Sequence, residues 1–192
     1  MSGFKSMYIT PAAEDDLPRI LEIERDTIAP PWMHGSLLGE IYREDSFFAV
    51  ARGSASDPGD RVQEFSAQGL VCGNGGCAGH AGGSIGVDFP TLGFVILRKM
   101  GDEAELLQIA VDKSARRLGV ADMLLGAALC YARDNALAPV FLEVRKSNDA
   151  AVALYKKHGF KPVRQRKNYY SDPIEDAVVM MLDYRNGQGG GS

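Results

Sequence analysis

The chain has 192 residues, 45% of them hydrophobic and 24% charged, with a formal net charge of −4 at pH 7. Such a balance is ordinary for a soluble globular protein, and the length suffices to bury a full core in one domain. An acidic chain gives no support to a nucleic-acid polyanion as the principal partner, and the basic cluster Arg164, Arg166, Lys167 reads as a solvated strand face.

No apolar run approaches the roughly 18–20 residues of a membrane span, and the start has no signal-peptide pattern, so a cytoplasmic location is expected. Three cysteines are too few for a disulfide framework and fit a reducing compartment. Cys72, Cys77 and His80 lie close together, but their spacing is wrong for a zinc pair and no fourth ligand is near. No metal is expected.

In chain order, residues 8–11 read as a short strand and residues 13–28 as a helix. Asp15 and Asp16 favour its N-terminal dipole, and Pro18 is tolerated because it falls in the first turn. Leu17, Ile20, Leu21 and Ile28 mark one face, and Glu24 falls on the same stripe. A carboxylate there is paired, solvated in a cleft, used, or simply at the stripe's edge in water. Pro30-Pro31-Trp32 breaks the chain before a second helix over residues 36–43, with Ser36 as its cap. Residues 46–52 form a strand.

Between residues 53 and 90 the pattern dissolves, apart from a possible short strand over 68–72. Eight of the eighteen residues from 69 to 86 are glycine, and no helix follows, so a phosphate cradle is not indicated. This segment reads as a mobile surface insertion. Residues 91–99 and 103–111 then form a hairpin across Gly101-Asp102. A helix over 119–135 has the stripe Ala121, Leu124, Leu125, Ala128, Leu129 and Ala132. A strand over 140–144, a helix over 148–158 stopped by Gly159, and strands over 160–169 and 176–184 complete the fold. Residues 185–192 are linker-like. The expectation is one domain over residues 1–184, α/β or α+β, with helices on both faces of a mixed sheet in three layers.

The segment after residue 111 carries the functional signal. Ile109-Ala110-Val111-Asp112 ends a strand, and Arg116-Arg117-Leu118-Gly119-Val120-Ala121 opens the long helix. The first N–H groups of a helix lack internal partners and its dipole adds partial positive charge, so this context suits an anion. Gly119 permits close approach, Ala121 is small, and two arginines add charge. By itself the string is compatible with an ordinary helix start.

Its surroundings add more. Leu142-Glu143-Val144-Arg145, Asn148, Ala153-Leu154-Tyr155 and Gly159-Phe160 follow it, and with it resemble the GNAT family of acetyltransferases. Ser147, Asn168-Tyr169-Tyr170 and Glu175-Asp176-Ala177 make the likeness closer to the RimI branch, which acetylates protein N-terminal α-amines. The resemblance runs from residue 103 to 184, and more loosely through Ile23-Glu24 and Pro31-Trp32. The insertion over 53–90 is longer than the family carries there, and Ala121 stands where glycine is common.

The resemblance implies a GNAT fold, acetyl-CoA as cosubstrate and a protein N-terminus as acceptor, a small-subunit ribosomal protein beginning with alanine. It places the cofactor along Ile109, Ala110 and Val111, over residues 116–121, and against Asn148 and Tyr155. Glu143 resembles the general base, acting through water, and Tyr155 the acid for the departing thiolate. The Val111 amide becomes the oxyanion donor. Glu24, Trp32, Tyr169 and Tyr170 line the peptide groove. An α-amine, with a pKa near 7.7–8.0, asks less of a base than a lysine near 10.4.

Plainer readings exist for each group. Glu143 is otherwise a surface carboxylate paired with Arg145 or a neighbour, Tyr155 a packing tyrosine, and Asn148 a helix cap. His158, in a last helical turn, reads as structural. The competing functions are a GNAT enzyme for a small amine, polyamine or lysine, and a non-catalytic CoA-binding or partner-binding module. A monomer or weak dimer is expected.

Overall fold

The computed structural model describes residues 6–28, 31–54 and 89–185. Pro30, nearly all of the glycine-rich segment with Cys72, Cys77 and His80, and the tail past residue 185 lie outside these.

Seven strands form one sheet: β1 (Ser6–Pro11), β2 (Ser46–Ser54), β3 (Thr91–Met100), β4 (Glu103–Val111), β5 (Val140–Arg145), β6 (Lys161–Ser171) and β7 (Ile174–Leu182). Their spatial order is β1-β2-β3-β4-β5-β7-β6, and every pairing is antiparallel except β4 with β5. Four helices, α1 (Leu17–Thr27), α2 (His34–Ile41), α3 (Val120–Asp134) and α4 (Asp149–Lys157), cover it. This is the expected three-layer α+β architecture with a mixed sheet.

The helices follow from their apolar stripes, with corrections at the ends. The first predicted helix divides into a 3-10 turn over Glu14–Asp16 and α1, with Pro18 in the first turn of α1, where its missing N–H costs nothing. Asp16 is not a solvent-facing dipole partner. It is buried, and its carboxylate accepts from Arg52 Nη2 at 2.9 Å and Thr91 Oγ1 at 3.1 Å. Ile23, absent from the predicted stripe, is buried on α1, whereas Leu21 and Ile28 are only partly covered. Helix α2 starts at His34 with Met33 in the cap position, so Ser36 is not its cap and lies in its first turn.

Two cores sit on opposite faces of the sheet. Leu124, Leu125 and Leu129 of α3 pack with Leu97, Leu106, Leu142 and Met180 on one face. Burying each leucine removes enough apolar surface to contribute about 1.5–3 kcal/mol. On the other face Leu17, Ile20 and Ile23 of α1 and Leu37 of α2 pack on Phe48, Val50, Phe94 and Ile96. Ala121 is only half-buried, and Val120 takes the core position instead.

Two irregularities in β4 shape the centre. The β3–β4 register shifts so that Ile96 meets Gln108 while Leu97 meets Leu106, leaving Leu107 as the extra residue of a bulge. The bulge reverses which face each side chain takes: Leu106 joins the α3 core, but Gln108 and Ala110 turn toward α1. Then β4 and β5 part. They pair only over Ala104–Leu106 with Val140–Leu142, so both strands run on without each other past that point.

Candidate active site

The gap between β4 and β5 leaves backbone groups without a sheet partner. Asp112 donates its N–H to Leu92 O in β3 at 2.8 Å. Successive amides of an extended strand point to opposite sides, so the Val111 N–H, one residue earlier, points into the gap. Ile109 and Val111 are half-buried along this edge and Ala110 is buried toward α1.

The gap leads to the start of α3. Arg117 has φ 66° and Gly119 φ 86°, two left-handed residues that turn the chain into the helix. Gly119 occupies the cap position, which therefore supplies no side-chain oxygen. The N–H groups of Val120, Ala121 and Asp122 head the helix, since the first intrahelical bond comes from Met123 to Gly119 O at 3.0 Å. A Cβ added at Gly119 would meet nothing within 4 Å, so the approach to these amides is open. Arg116, Arg117, Leu118 and Gly119 are exposed, and Arg116 Nε lies 3.4 Å from Val111 O. An uncapped helix start with two arginines beside a strand edge fits a ligand with a phosphate end and an amide-bearing arm.

Helix α4, by contrast, is closed at both ends. Asn148 caps it through Oδ1, accepting from Ala151 N at 3.1 Å. At the far end Phe160 N donates to Tyr155 O and Gly159 N to Lys156 O, each at 3.0 Å, with Gly159 at φ 91°. This is a Schellman ending, and it sets the Phe160 ring 5.9 Å from that of Tyr155. Tyr155 is only 6% exposed. Burial, and then the neighbouring Tyr170, push its hydroxyl far above the ordinary tyrosine range. His158 pairs with Asp122 at 2.9 Å, a structural link between α4 and α3.

Glu143 lies on β5 past the point where β4 leaves, on the opposite face from Leu142 and Val144. Its side chain is 17% exposed and pairs with Arg166 Nη1 at 2.8 Å. Tyr169 is held above its usual pKa first by a hydrogen bond to Glu143, then by burial. Tyr170 is raised mainly by burial and next by the Glu143 charge. Tyr170 thus feels the charge of Glu143 and in turn influences Tyr155, although Glu143 and Tyr155 belong to opposite faces of the sheet.

Arg145 is engaged elsewhere along the β6–β7 turn. It donates to Pro173 O at 3.2 Å, Asp172 O at 2.8 Å and Glu175 Oε2 at 3.2 Å, and lies 4.1 Å from the Tyr170 ring centroid. Glu175 in turn accepts from Ser147 N at 2.6 Å, and hydrogen bonds from the Ser147 side chain first and its backbone second, ahead of Arg145, lower its carboxyl pKa. The β6–β7 turn, and with it the end of β6 that carries Tyr169 and Tyr170, is therefore tied to β5 and to the approach to α4.

Glu24 is 0% exposed. Its Oε1 accepts from Trp32 N at 2.8 Å and Gln108 Nε2 at 2.9 Å, so it holds the chain between α1 and α2 from beneath. Among the described residues Glu24 Oε2 and Gln108 Oε1 have no hydrogen-bond partner. Trp32 is half-buried against the α1 core. The sequence reading missed Arg166 as the partner of Glu143 and Gln108 as that of Glu24. Gln108 carried a signal, as the one polar residue in the run from Leu106 to Val111. Among the described residues no His, Cys, Asp and Glu cluster is placed to hold a metal.

The comparisons with known proteins agree with this geometry. The model of the acetyltransferase (GNAT) family matches residues 38–160. The chain is 42% identical over 91 residues to the [ribosomal protein bS18]-alanine N-acetyltransferase of Escherichia coli K12, a stretch covering 46% of this chain and 62% of that protein. A putative enzyme of the same name from Bacillus subtilis is 28% identical over 168 residues, covering 88% and 89% of the two chains. The crystal structure of the E. coli ribosomal-protein-S18-alanine N-acetyltransferase superposes with a TM-score of 0.67 at 27% identity, over 93% of this chain and 94% of that one. With its family model spanning most of the chain and its sheet opening where the two halves of β4 and β5 part, this protein belongs to the GNAT acetyltransferase family.

Proposed function

We propose that this chain transfers the acetyl group of acetyl-CoA to the N-terminal α-amine of a protein. The observation that carries the reading is the parting of β4 from β5, with Glu143 on β5 just past that point, Tyr155 packed on the opposite face of the sheet, and an uncapped helix start at α3.

Bound acetyl-CoA supplies the activated acetyl group. The N–H groups of Val120 and Ala121, with Arg116 and Arg117, hold its pyrophosphate, while Leu118 and Gly119 shape the turn around it. The edge of β4 at Ile109, Ala110 and Val111 pairs with its amide-bearing arm, and Asn148 and Tyr155 border it on the α4 side. Trp32, Tyr169 and Tyr170 line the acceptor groove, and Glu24 supports it by fixing the backbone at Trp32.

The amine must first displace Arg166, which occupies Glu143 Oε1. Glu143 then receives a proton from the amine, directly or through water, as its nitrogen bonds to the acetyl carbon. The Val111 N–H donates to the carbonyl oxygen as negative charge develops there. As the carbon–sulfur bond breaks, Tyr155 gives its proton to the sulfur. Its raised pKa keeps it a proton donor across and above the neutral range.

The relatives' names favour a narrower acceptor, a small-subunit ribosomal protein with N-terminal alanine. No helix among the described residues is long and apolar enough to cross a membrane. Purified protein with acetyl-CoA should acetylate the α-amine of an alanine-initiated peptide, read by intact mass. Glu143→Gln and Tyr155→Phe should each lower kcat by about 100-fold or more. Unmodified peptides beside acetylated polyamine or lysine would point to the small-amine reading. Full turnover by both variants would abandon the catalytic assignments.

A further inference from the structure

Tyr169 and Tyr170 are consecutive in the chain, yet both reach Glu143. The Tyr169 hydroxyl is hydrogen-bonded to it, and Tyr170 feels its charge. The two rings meet edge to face with centroids 5.1 Å apart. Each has a guanidinium over it, Arg166 at 5.3 Å from the Tyr169 centroid and Arg145 at 4.1 Å from that of Tyr170. Consecutive side chains of a regular strand point to opposite faces of its sheet. A regular β6 would therefore send one of these two tyrosines to the far side.

Strand β6 is interrupted just there. Arg166 pairs with Ala177 and Tyr170 with Glu175, so Lys167, Asn168 and Tyr169 together stand opposite Asp176 alone. This is a bulge wider than the usual one extra residue. Asn168 turns through it at φ 51°, a left-handed conformation that asparagine tolerates and β-branched residues resist. The bulge takes the Asn168 N–H out of the strand ladder, and Asp176 Oδ1 accepts it at 3.0 Å. Asp176 is itself held by its backbone, its carbonyl accepting from Lys146 N at 3.1 Å just past the end of β5.

We propose that Asp176 is a positioning residue for acetyl transfer, holding the bulge that brings Tyr169 onto the face of Glu143, an inference that rests on Glu143 serving as the base. Arg166 and Tyr169 both bond to the Glu143 carboxylate. Once the amine displaces Arg166, the Tyr169 hydroxyl remains to keep the carboxylate aimed at the incoming nitrogen. A base already held in its working direction loses no time or free energy to reorientation. In this role Asp176 acts through Asn168 and Tyr169.

The test uses the full-length protein with acetyl-CoA and an alanine-initiated peptide. Asp176→Ala should lower kcat about tenfold, the scale of one lost hydrogen bond, while CoA affinity by calorimetry stays at the wild-type value. Asp176→Asn keeps an accepting oxygen and should stay within about twofold of wild type. Tyr169→Phe should lose as much as Asp176→Ala, and the double variant no more than either, because both remove one interaction. Asn168 gives a second route that does not depend on Asp176→Ala folding. Asn168→Gly, which adopts the left-handed conformation freely, should remain active, and Asn168→Val should fall to the Asp176→Ala level. Losses that multiply in the double variant, wild-type kcat in a folded Asp176→Ala, or equal kcat for the two Asn168 variants would overturn the inference and leave N-terminal acetylation standing. If wild type modifies a polyamine or lysine and no peptide, the N-terminal reading fails, and the same variants assayed on that amine decide this inference.

Discussion

Helices α3 and α4 both start after a strand of the same sheet, yet their N-termini are built in opposite ways. The start of α4 is finished internally, with Asn148 Oδ1 accepting from Ala151 N. At α3 the cap position is Gly119, which has no side chain to offer, and the preceding arginines face solvent. Both ends carry the same backbone dipole and the same surplus of N–H groups. The difference lies in what satisfies them. A helix start completed by its own cap is a structural joint, whereas one left open beside two arginines and a free strand edge is a place for an anionic ligand.

The largest effect should come from reversing charge at the open end. Arg117→Glu should weaken CoA binding by about 10- to 100-fold, the scale of losing a charge-assisted contact and adding repulsion. Its unfolding midpoint should stay near that of wild type, because Arg117 is exposed. Titration calorimetry with CoA and urea denaturation read the two separately. An unchanged affinity would remove α3 from the cofactor site and collapse the contrast with α4.

The contrast was visible in the sequence only in part. Gly119 after two arginines and Asn148 before an alanine-rich run pointed to the two helix starts, because glycine at a cap offers no side-chain oxygen and asparagine does. The hairpin at Gly101-Asp102 and the stop at Gly159 were equally legible, since each needs a left-handed residue. Pairing across the sheet was not. Arg166 reaches Glu143 over an intervening strand, so no spacing along the chain reveals it. The bulge in β4 also hid the face of Gln108, because one extra residue reverses the alternation on which a strand reading depends. Asp16 looked like a dipole partner, yet its position beneath Arg52 and Thr91 depends on strands 36 and 75 residues away.

The closed end should respond in stability first. Asn148→Ala removes the cap and should cost about 1 kcal/mol of unfolding free energy, measured in urea. Asn148→Asp keeps the accepting oxygen but loses the amide donor, so stability should be retained. A drop in CoA affinity in the aspartate variant then reports the amide's own contact with cofactor. Equal, wild-type affinity in both variants would make Asn148 a cap alone.

Asp122 provides the smallest and most discriminating test, because it sits in the first turn of α3 itself. A carboxylate there opposes a bound pyrophosphate, but Lys157 Nζ at 2.7 Å and His158 Nε2 at 2.9 Å draw it toward α4. These hydrogen bonds, Lys157's first, lower the Asp122 pKa below the ordinary carboxylate value. The unfolded chain therefore binds this proton more readily than the folded one. The resulting stability is fully present above the unfolded pKa of about 3.9 and is lost as the pH falls below it through the folded value. Asp122 is 41% exposed, so solvent screening limits its contribution to about 0.5 kcal/mol. Asp122→Asn should lower the urea midpoint slightly at pH 7, and the difference from wild type should vanish in strong acid. The same variant should bind CoA slightly more tightly, because the open end of α3 loses its one first-turn carboxylate while keeping both arginines. Tighter CoA binding together with lower stability would show that α4 restrains a charge the ligand site must tolerate, and weaker binding would mean that Asp122 helps to shape that site.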